Sequence, residues 1–158
     1  MKENILIEKS IDFGARIVKL HRYLSETKHE TIIARQIMRS GTSIGANINE
    51  AQYGNSKADF IAKLHIALKE TAETEYWLHI LQKSDYLDDS MAASMLNDCL
   101  EIKRILISSI NTAKNNNNWT AFPSKAKILS SQDDGIFALY DSFLSFKFSF
   151  FSDNDRIF

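Results

Sequence analysis

The stretch "KETAETEYWLH", Lys69–His79, gathers Glu70, Glu73, Glu75 and His79 within three turns of any helix that holds it. Carboxylates and a histidine at that density are the raw material of a di-iron centre. Such centres take Glu-x-x-His from each of two helices and a glutamate from each of the other two. Here Glu75 and His79 stand four apart rather than three, and the neighbouring "HIALKE" supplies no second copy. His65 and His79 are 14 residues apart, about 21 Å along a helix at 1.5 Å per residue, too far for one ion. The spacing therefore predicts no metal site and no cofactor. The carboxylates are expected in ion pairs instead: Lys69 with Glu73 at i,i+4 spacing, or Glu70 or Glu73 with Arg39 across helices. Nucleophilic catalysis has no better support. No G-x-S-x-G elbow occurs, and the four histidines lack a positioned partner motif. The expectation is a protein that is not an enzyme.

Two other groups of residues invite a binding role. "RSGTSIGANINEA", Arg39–Ala51, is crowded with small residues, and a glycine-rich loop can cradle phosphate. A phosphate loop requires G-x-x-x-x-G-K-[ST], whereas Gly41 and Gly45 are four apart with no lysine after them, and G-x-G-x-x-G is absent. On a helix the two glycines lie one above the other and let another backbone approach. Each costs the helix about 0.8–1 kcal/mol relative to alanine, so close packing must return something. Gly41 and Gly45, with Ile44 and Ile48 beside them, mark either tight packing inside a bundle or a contact between subunits. The second group is cationic. Arg35 and Arg39 are one turn apart, and Lys19 and Arg22 share a face; these four are candidate contacts to RNA or DNA. The plainer reading of them is a solvated helix surface. Arg16, Lys57, Lys63, Lys103 and Arg104 complete the cations available to such a surface.

Helices must position all of these. Ile7, Ile11, Gly14, Val18 and His21 recur at steps of four and three, and Phe13, Ile17, Leu20 and Leu24 form a second row beside them. Together they predict a helix with a broad apolar face. "SETKHE" breaks the pattern. The next row, Ile33, Ile37, Gly41, Ile44, Ile48 and Ala51, runs through the small-residue stretch without losing phase, so that stretch is expected to be helical. "YGNS" ends the helix, with Gly54 or Asn55 expected in the left-handed conformation. Ser56 followed by Asp59 resembles a capping box and opens a third helix over roughly 57–83, anchored by Phe60, Leu64, Leu68, Trp77, Leu78 and Leu81. Asp88, Asp89 or Ser90 caps a fourth, running to about Lys114 with Met95, Cys99, Ile102, Leu106 and Ile110 as its apolar row. Four helices with short connections predict an all-α, antiparallel up-and-down four-helix bundle.

Composition agrees and sets a boundary. Five glycines and one proline in 158 residues suit long helices better than a turn-rich β fold. No apolar run approaches the roughly 18–20 residues of a membrane span. "MKENILIEKS" lacks the apolar block of a signal peptide. With a lone Cys99 that reads as a small core residue, the expectation is a cytoplasmic protein. Formal net charge is -1, which leaves no global basic excess for nucleic acid. Near "KNNNNW" the composition shifts, and eight of the ten phenylalanines follow Asn118. Residues 1–118 are read as the bundle domain and 119–158 as an aromatic-rich C-terminal tail. In "FALYDSFLSFKFSFF" the spacing fits a strand at Phe146, Phe148 and Phe150 and a helical turn at Phe137, Tyr140 and Phe143 or Leu144.

"RSGTSIGANINEA" followed by "SKADFIAKLHIALKETAETEYWLHIL" closely resembles the bacterial four-helix bundle proteins also called 23S rRNA intervening-sequence proteins. The close match runs from Arg39 to Leu81, and a looser helical pattern extends it over about 1–114; the tail lies outside it. The resemblance implies a four-helix bundle, commonly assembled as a ring-shaped homopentamer, with no enzymatic activity. Members are encoded within intervening sequences of 23S ribosomal RNA genes or elsewhere in bacterial genomes. A related branch, the accessory proteins of diversity-generating retroelements, forms basic barrels that bind nucleic acid. This chain departs from that branch in charge: through Asn118 it carries 15 Lys and Arg against 15 Asp and Glu. Self-association, with RNA or DNA as a candidate ligand, is the expectation; a protein–protein assembly scaffold with no nucleic-acid role is the alternative.

Overall fold

The computed structural model describes residues 4–116. They form four helices, α1 (Ile5–Arg22), α2 (Ile32–Ala51), α3 (Lys57–Lys83) and α4 (Asp89–Asn115), and no strand. Successive helices pack side by side, and α4 returns to α1 through the loosest contact of the four, which closes an antiparallel four-helix bundle. The boundary expected at Asn118 and the tail 119–158 lie outside the described residues.

Local chemistry explains where the helices begin. The Asn4 side chain accepts from the Leu6 amide at 3.2 Å, Ser56 Oγ from the Asp59 amide at 3.1 Å, and Asp88 Oδ1 from the Met91 amide at 2.8 Å. The start of α2 is different. Thr31 occupies the cap position without a side-chain bond. Glu30, only 9% exposed, takes over: its Oε1 accepts from the amides of Ile32 and Ile33, both at 2.9 Å, and its Oε2 from that of Ala34 at 2.7 Å. One carboxylate thus satisfies three amides that have no partner inside the helix, at the end where the helix dipole favours negative charge.

"SETKHE" does interrupt α1, by a widened, underwound turn rather than by an immediate stop. Tyr23–Thr27 form a π-helical turn, and His29 then takes φ 55° to release the chain. At the far end of α2 the expectation of a left-handed Gly54 or Asn55 is corrected: among the described residues only His29 and Asp85 have positive φ. Gly54 serves close approach instead, since a Cβ there would lie 3.0 Å from the Phe60 amide nitrogen.

The core runs the length of the bundle. Phe13 and Ile17 of α1 and Leu24 of the π-helical turn meet Ile37, Ile44 and Ile48, Leu64, Leu78 and Leu81, and Ile102 and Leu106. Each such side chain contributes about 1.5–3 kcal/mol on leaving water. The second of the two α1 rows therefore faces the core. The first does not: Ile11 is 60% and Val18 39% exposed. Leu6 and Ser10 complete the inward face and turn it away from that first row. The anchor row of α4 is buried throughout, as are Ile37, Gly41, Ile44, Ile48 and Ala51 in α2. The buried hydroxyls are bonded: Thr74 Oγ1 to Ser40 Oγ at 2.9 Å, and Thr71 Oγ1 to the Ala67 carbonyl at 2.8 Å.

Candidate subunit interface

Gly41 and Gly45 lie on the side of α2 that meets α1. A Cβ built on Gly41 would fall 2.7–2.9 Å from three side-chain carbons of Ile17, and one on Gly45 would lie 3.4 Å from the Ser10 carbonyl oxygen. Ile44 and Ile48 beside them are wholly buried. Gly41, Ile44 and Ile48 are buried in the packing of α2 against α1 and the core of their own chain, and Gly45 is half-buried beside Ser10. Gly41, Ile44 and Ile48 offer no surface to a second subunit.

The cations are largely engaged. Arg39 reaches Glu73 and stands 3.9 Å from Glu70, and the indole N–H of Trp77 donates to the same Glu73 oxygen at 3.2 Å. Glu70 Oε2 is buried with no hydrogen bond of its own, held only by the charge of Arg39. Lys103 pairs with Glu75 at 2.6 Å, Lys63 with Glu50, Arg16 with Asp98, and Lys9 with Glu101 at 2.9 Å. The hydrogen bonds that Lys9 and Lys63 donate to Glu101 and Glu50 hold the pKa of each ammonium group above the ordinary lysine range. Lys57 donates to the carbonyls of Lys114 and Asn116 at the end of α4. Arg22 faces Glu26 at 3.8 Å, and Arg35 Nε donates to the Thr31 carbonyl. Among the described residues, Lys19, Lys28, Arg35, Lys57, Lys69, Lys83, Arg104 and Lys114 form no ion pair with a carboxylate, so the Lys69–Glu73 pair expected from spacing is not formed.

The ion pairs therefore connect α1 with α4, α2 with α3 and α3 with α4. Glu70, Glu73 and Glu75, which a metal centre would bring to one point, are divided between Arg39 and Lys103. Among the described residues no three His, Cys, Asp or Glu side chains gather as a metal ion would need. No described helix is long and apolar enough to cross a membrane. Burial, then the Glu75 carboxylate, push the Cys99 thiol up to about 12, which makes it an inert core group rather than a nucleophile.

One outer face of the bundle carries an exposed apolar row, and a second carries single apolar side chains among charges. On α1, Lys9 and Arg16 point to α4 and Ser10 and Ile17 to α2. The row Ile7, Ile11, Gly14, Val18 continues past the α2 side onto the surface. Ile7 is half-buried, Ile11 and Val18 are exposed, and a Cβ on Gly14 would meet nothing within 4 Å. The second face lies across α2 and α3. Arg39, Ser43, Ala46 and Glu50 follow one another at steps of four, three and four along α2, with Ala46 exposed. Ile66, seven residues before Glu73 on α3 and 40% exposed, stands beside them. Sequence periodicity pointed to the α1 row but assigned it to the core. The second face was missed because its apolar members are interspersed with paired charges.

The family model for the 23S rRNA-intervening sequence protein matches residues 2–108. The chain belongs to that family. A crystal structure of a protein of unknown function from the S23 ribosomal protein family of Bacteroides thetaiotaomicron VPI-5482 is similar to this chain. The two are 49% identical with a TM-score of 0.67, over 67% of this chain and 98% of that one. A comparison with curated proteins found no match. The family match spans nearly the whole bundle and stops within α4, so the fold and both outer faces lie within it.

Proposed function

We propose that this 23S rRNA-intervening sequence family member is a non-enzymatic helical module that assembles with copies of itself into a ring of five and serves as a scaffold. The observation that carries this is the row Ile7, Ile11, Gly14 and Val18, an apolar strip with a seven-residue repeat in which Ile11 and Val18 are exposed. A seven-residue apolar repeat on a helix surface is the pattern that packs against another helix. The count of five comes from the family resemblance. Sedimentation equilibrium at micromolar concentration tests it: the expected mass is five times 18.1 kDa, and a monomer would overturn the reading.

Binding of RNA or DNA is a second reading, supported by Lys19 and Arg35, which lack carboxylate partners, and by the repetition of each in an assembled ring. A mobility-shift titration across salt tests it. Affinity that falls steeply with salt supports phosphate contacts; no binding at low salt leaves the scaffold alone.

A further inference from the structure

We propose that a groove between the end of α4 and the start of α3 is a docking site for an extended aromatic segment, and that its occupant is the chain's own Asn117–Phe122, returning along α4 with Trp119 and Phe122 seated in it. The proposal stands apart from self-assembly. Three observations carry it: the lining of the groove, the way α4 delivers the chain to it, and the spacing of the two aromatic residues that follow.

The groove encloses about 480 Å³. Phe60 of α3 forms one wall, and Ile105, Ser109, Thr112 and Ala113 of α4 form the other. Its lining is mainly apolar with a rim of hydroxyls. Thr71 and Thr74 return their hydroxyls to carbonyls of their own helix. Among the described residues, those of Ser108, Ser109 and Thr112 make no such bond and are available to a ligand. An apolar trough edged with hydroxyls suits an extended peptide, which sinks its side chains and needs partners for its backbone amides. At the end farthest from Asn116 stands Arg104, which forms no ion pair with a carboxylate and suits the face of an aromatic ring.

The chain is delivered to this groove. Lys57, the first residue of α3, donates to the carbonyls of Lys114 and Asn116, both at 2.9 Å, and so clamps the last turn of α4 to the start of α3. Asn116 lines the groove and has extended backbone, φ -82° and ψ 103°, so the chain leaves the helix beside it. Asn117 and Asn118 are of a type that suits a tight reversal, and Pro123 favours extended backbone at Phe122. From Ala113 back to Ile105 is about 12 Å of helix at 1.5 Å per residue. From Trp119 to Phe122 is about 10 Å of extended chain at 3.3 Å per residue. With Trp119 against Phe60 and Ala113, Phe122 therefore reaches Ile105 and Arg104. A segment tethered this closely has an effective concentration on the order of millimolar, so a shallow groove suffices to hold it. Ser109, Thr112, Ala113 and Asn116 lie past residue 108, where the family match stops, as do both aromatic residues.

The test uses the full chain with Trp77→Phe, which leaves Trp119 as its single tryptophan. Helical circular dichroism verifies that each variant folds. The expected result is Trp119 emission shifted to the blue and quenched by acrylamide several-fold less than in urea. Adding Ser109→Arg, at a half-buried position of the groove wall, should shift the emission to the red and raise quenching several-fold with the helical signal retained. Thr112→Arg, at an exposed position of the same wall, repeats the test should Ser109→Arg fail to fold. Ala93→Arg, exposed on α4 far from the groove, is the control and should change nothing. Emission and quenching in the folded Trp77→Phe chain equal to those in urea would overturn the docking. Shielding that survives both groove substitutions would overturn the choice of groove. Shielding lost on dilution to nanomolar concentration would assign the occupant to a second copy and overturn the return of the chain on itself.

Discussion

Gly41→Ala should destabilise the bundle, although alanine is the better helix former. The substitution gains about 0.8–1 kcal/mol of helix propensity. Against that, the new Cβ would lie 2.7 Å from Ile17 Cγ1, 2.8 Å from Cδ1 and 2.9 Å from Cγ2, where carbon atoms prefer about 3.5–4.0 Å. Ile17 is wholly buried, and a β-branched side chain that rotates about χ1 replaces one crowded branch with another. The two helices must part instead, at about 1–3 kcal/mol for overpacking of this kind. The net expectation is a loss of about 1 kcal/mol. Gly14→Ala meets nothing within 4 Å and should gain about 0.8–1 kcal/mol. Gly45→Ala, in ordinary contact with Ser10 at 3.4 Å, should gain somewhat less. Urea unfolding followed by helical circular dichroism, at two protein concentrations to separate any effect of association, reads all three. In an Ile17→Val background, which removes Cδ1, the penalty at Gly41 should shrink. Equal stabilisation by Gly41→Ala and Gly14→Ala would refute the steric argument.

Glu30→Ala leaves three amides at the start of α2 without their carboxylate, and unfolding should show a loss of about 2 kcal/mol, within the range for caps and charged hydrogen bonds. Cys99 keeps its proton in the fold up to about 12 against an ordinary 9.0, so its contribution is full below pH 9 and is lost as pH rises from 9 to 12. At about 1.4 kcal/mol per unit, the alkaline loss approaches about 4 kcal/mol, and Cys99→Ala should flatten that part of the stability profile measured by urea unfolding. A chain ending at Asn118 should retain its helical circular dichroism and melt cooperatively. A loss of several kcal/mol, or binding of a hydrophobic dye, would place the tail within the fold.

The helices were legible in the sequence because their signals are local. The isoleucine row carried its phase through the small residues, Ser56 and Asp88 announced two helix starts, and α3 occupies the span its anchors predicted. Of the two ion-pair readings, Arg39 with Glu70 and Glu73 is the one formed, and Lys69 with Glu73 is not. The orientation of α1 was not legible. Its two apolar rows have the same step and similar residues, and only packing against α2, with Ser10 turned inward, decides which one is buried. Glu30 was not legible either, because it lies ahead of the position where a capping residue is sought, and the π-helical turn that delivers it leaves no pattern of apolar spacing. The outer faces depend on which residues the bundle leaves uncovered, and that is a property of all four helices together.

The contact between α1 and α2 holds none of the ion pairs that cross the other three contacts; it depends on the fit of Ile17 over Gly41. This should divide the ways in which the sequence can drift. A charge pair such as Arg16 with Asp98 can exchange signs, lengthen, or disappear at little cost, since exposed pairs contribute about 0–1 kcal/mol. Ile17 and Gly41 cannot change one at a time in that manner, because each shapes the space of the other. Among homologous chains, a larger residue at 41 should accompany a smaller one at 17, and substitutions along the α1–α2 contact should arrive as compensating pairs while those along α4 accumulate singly.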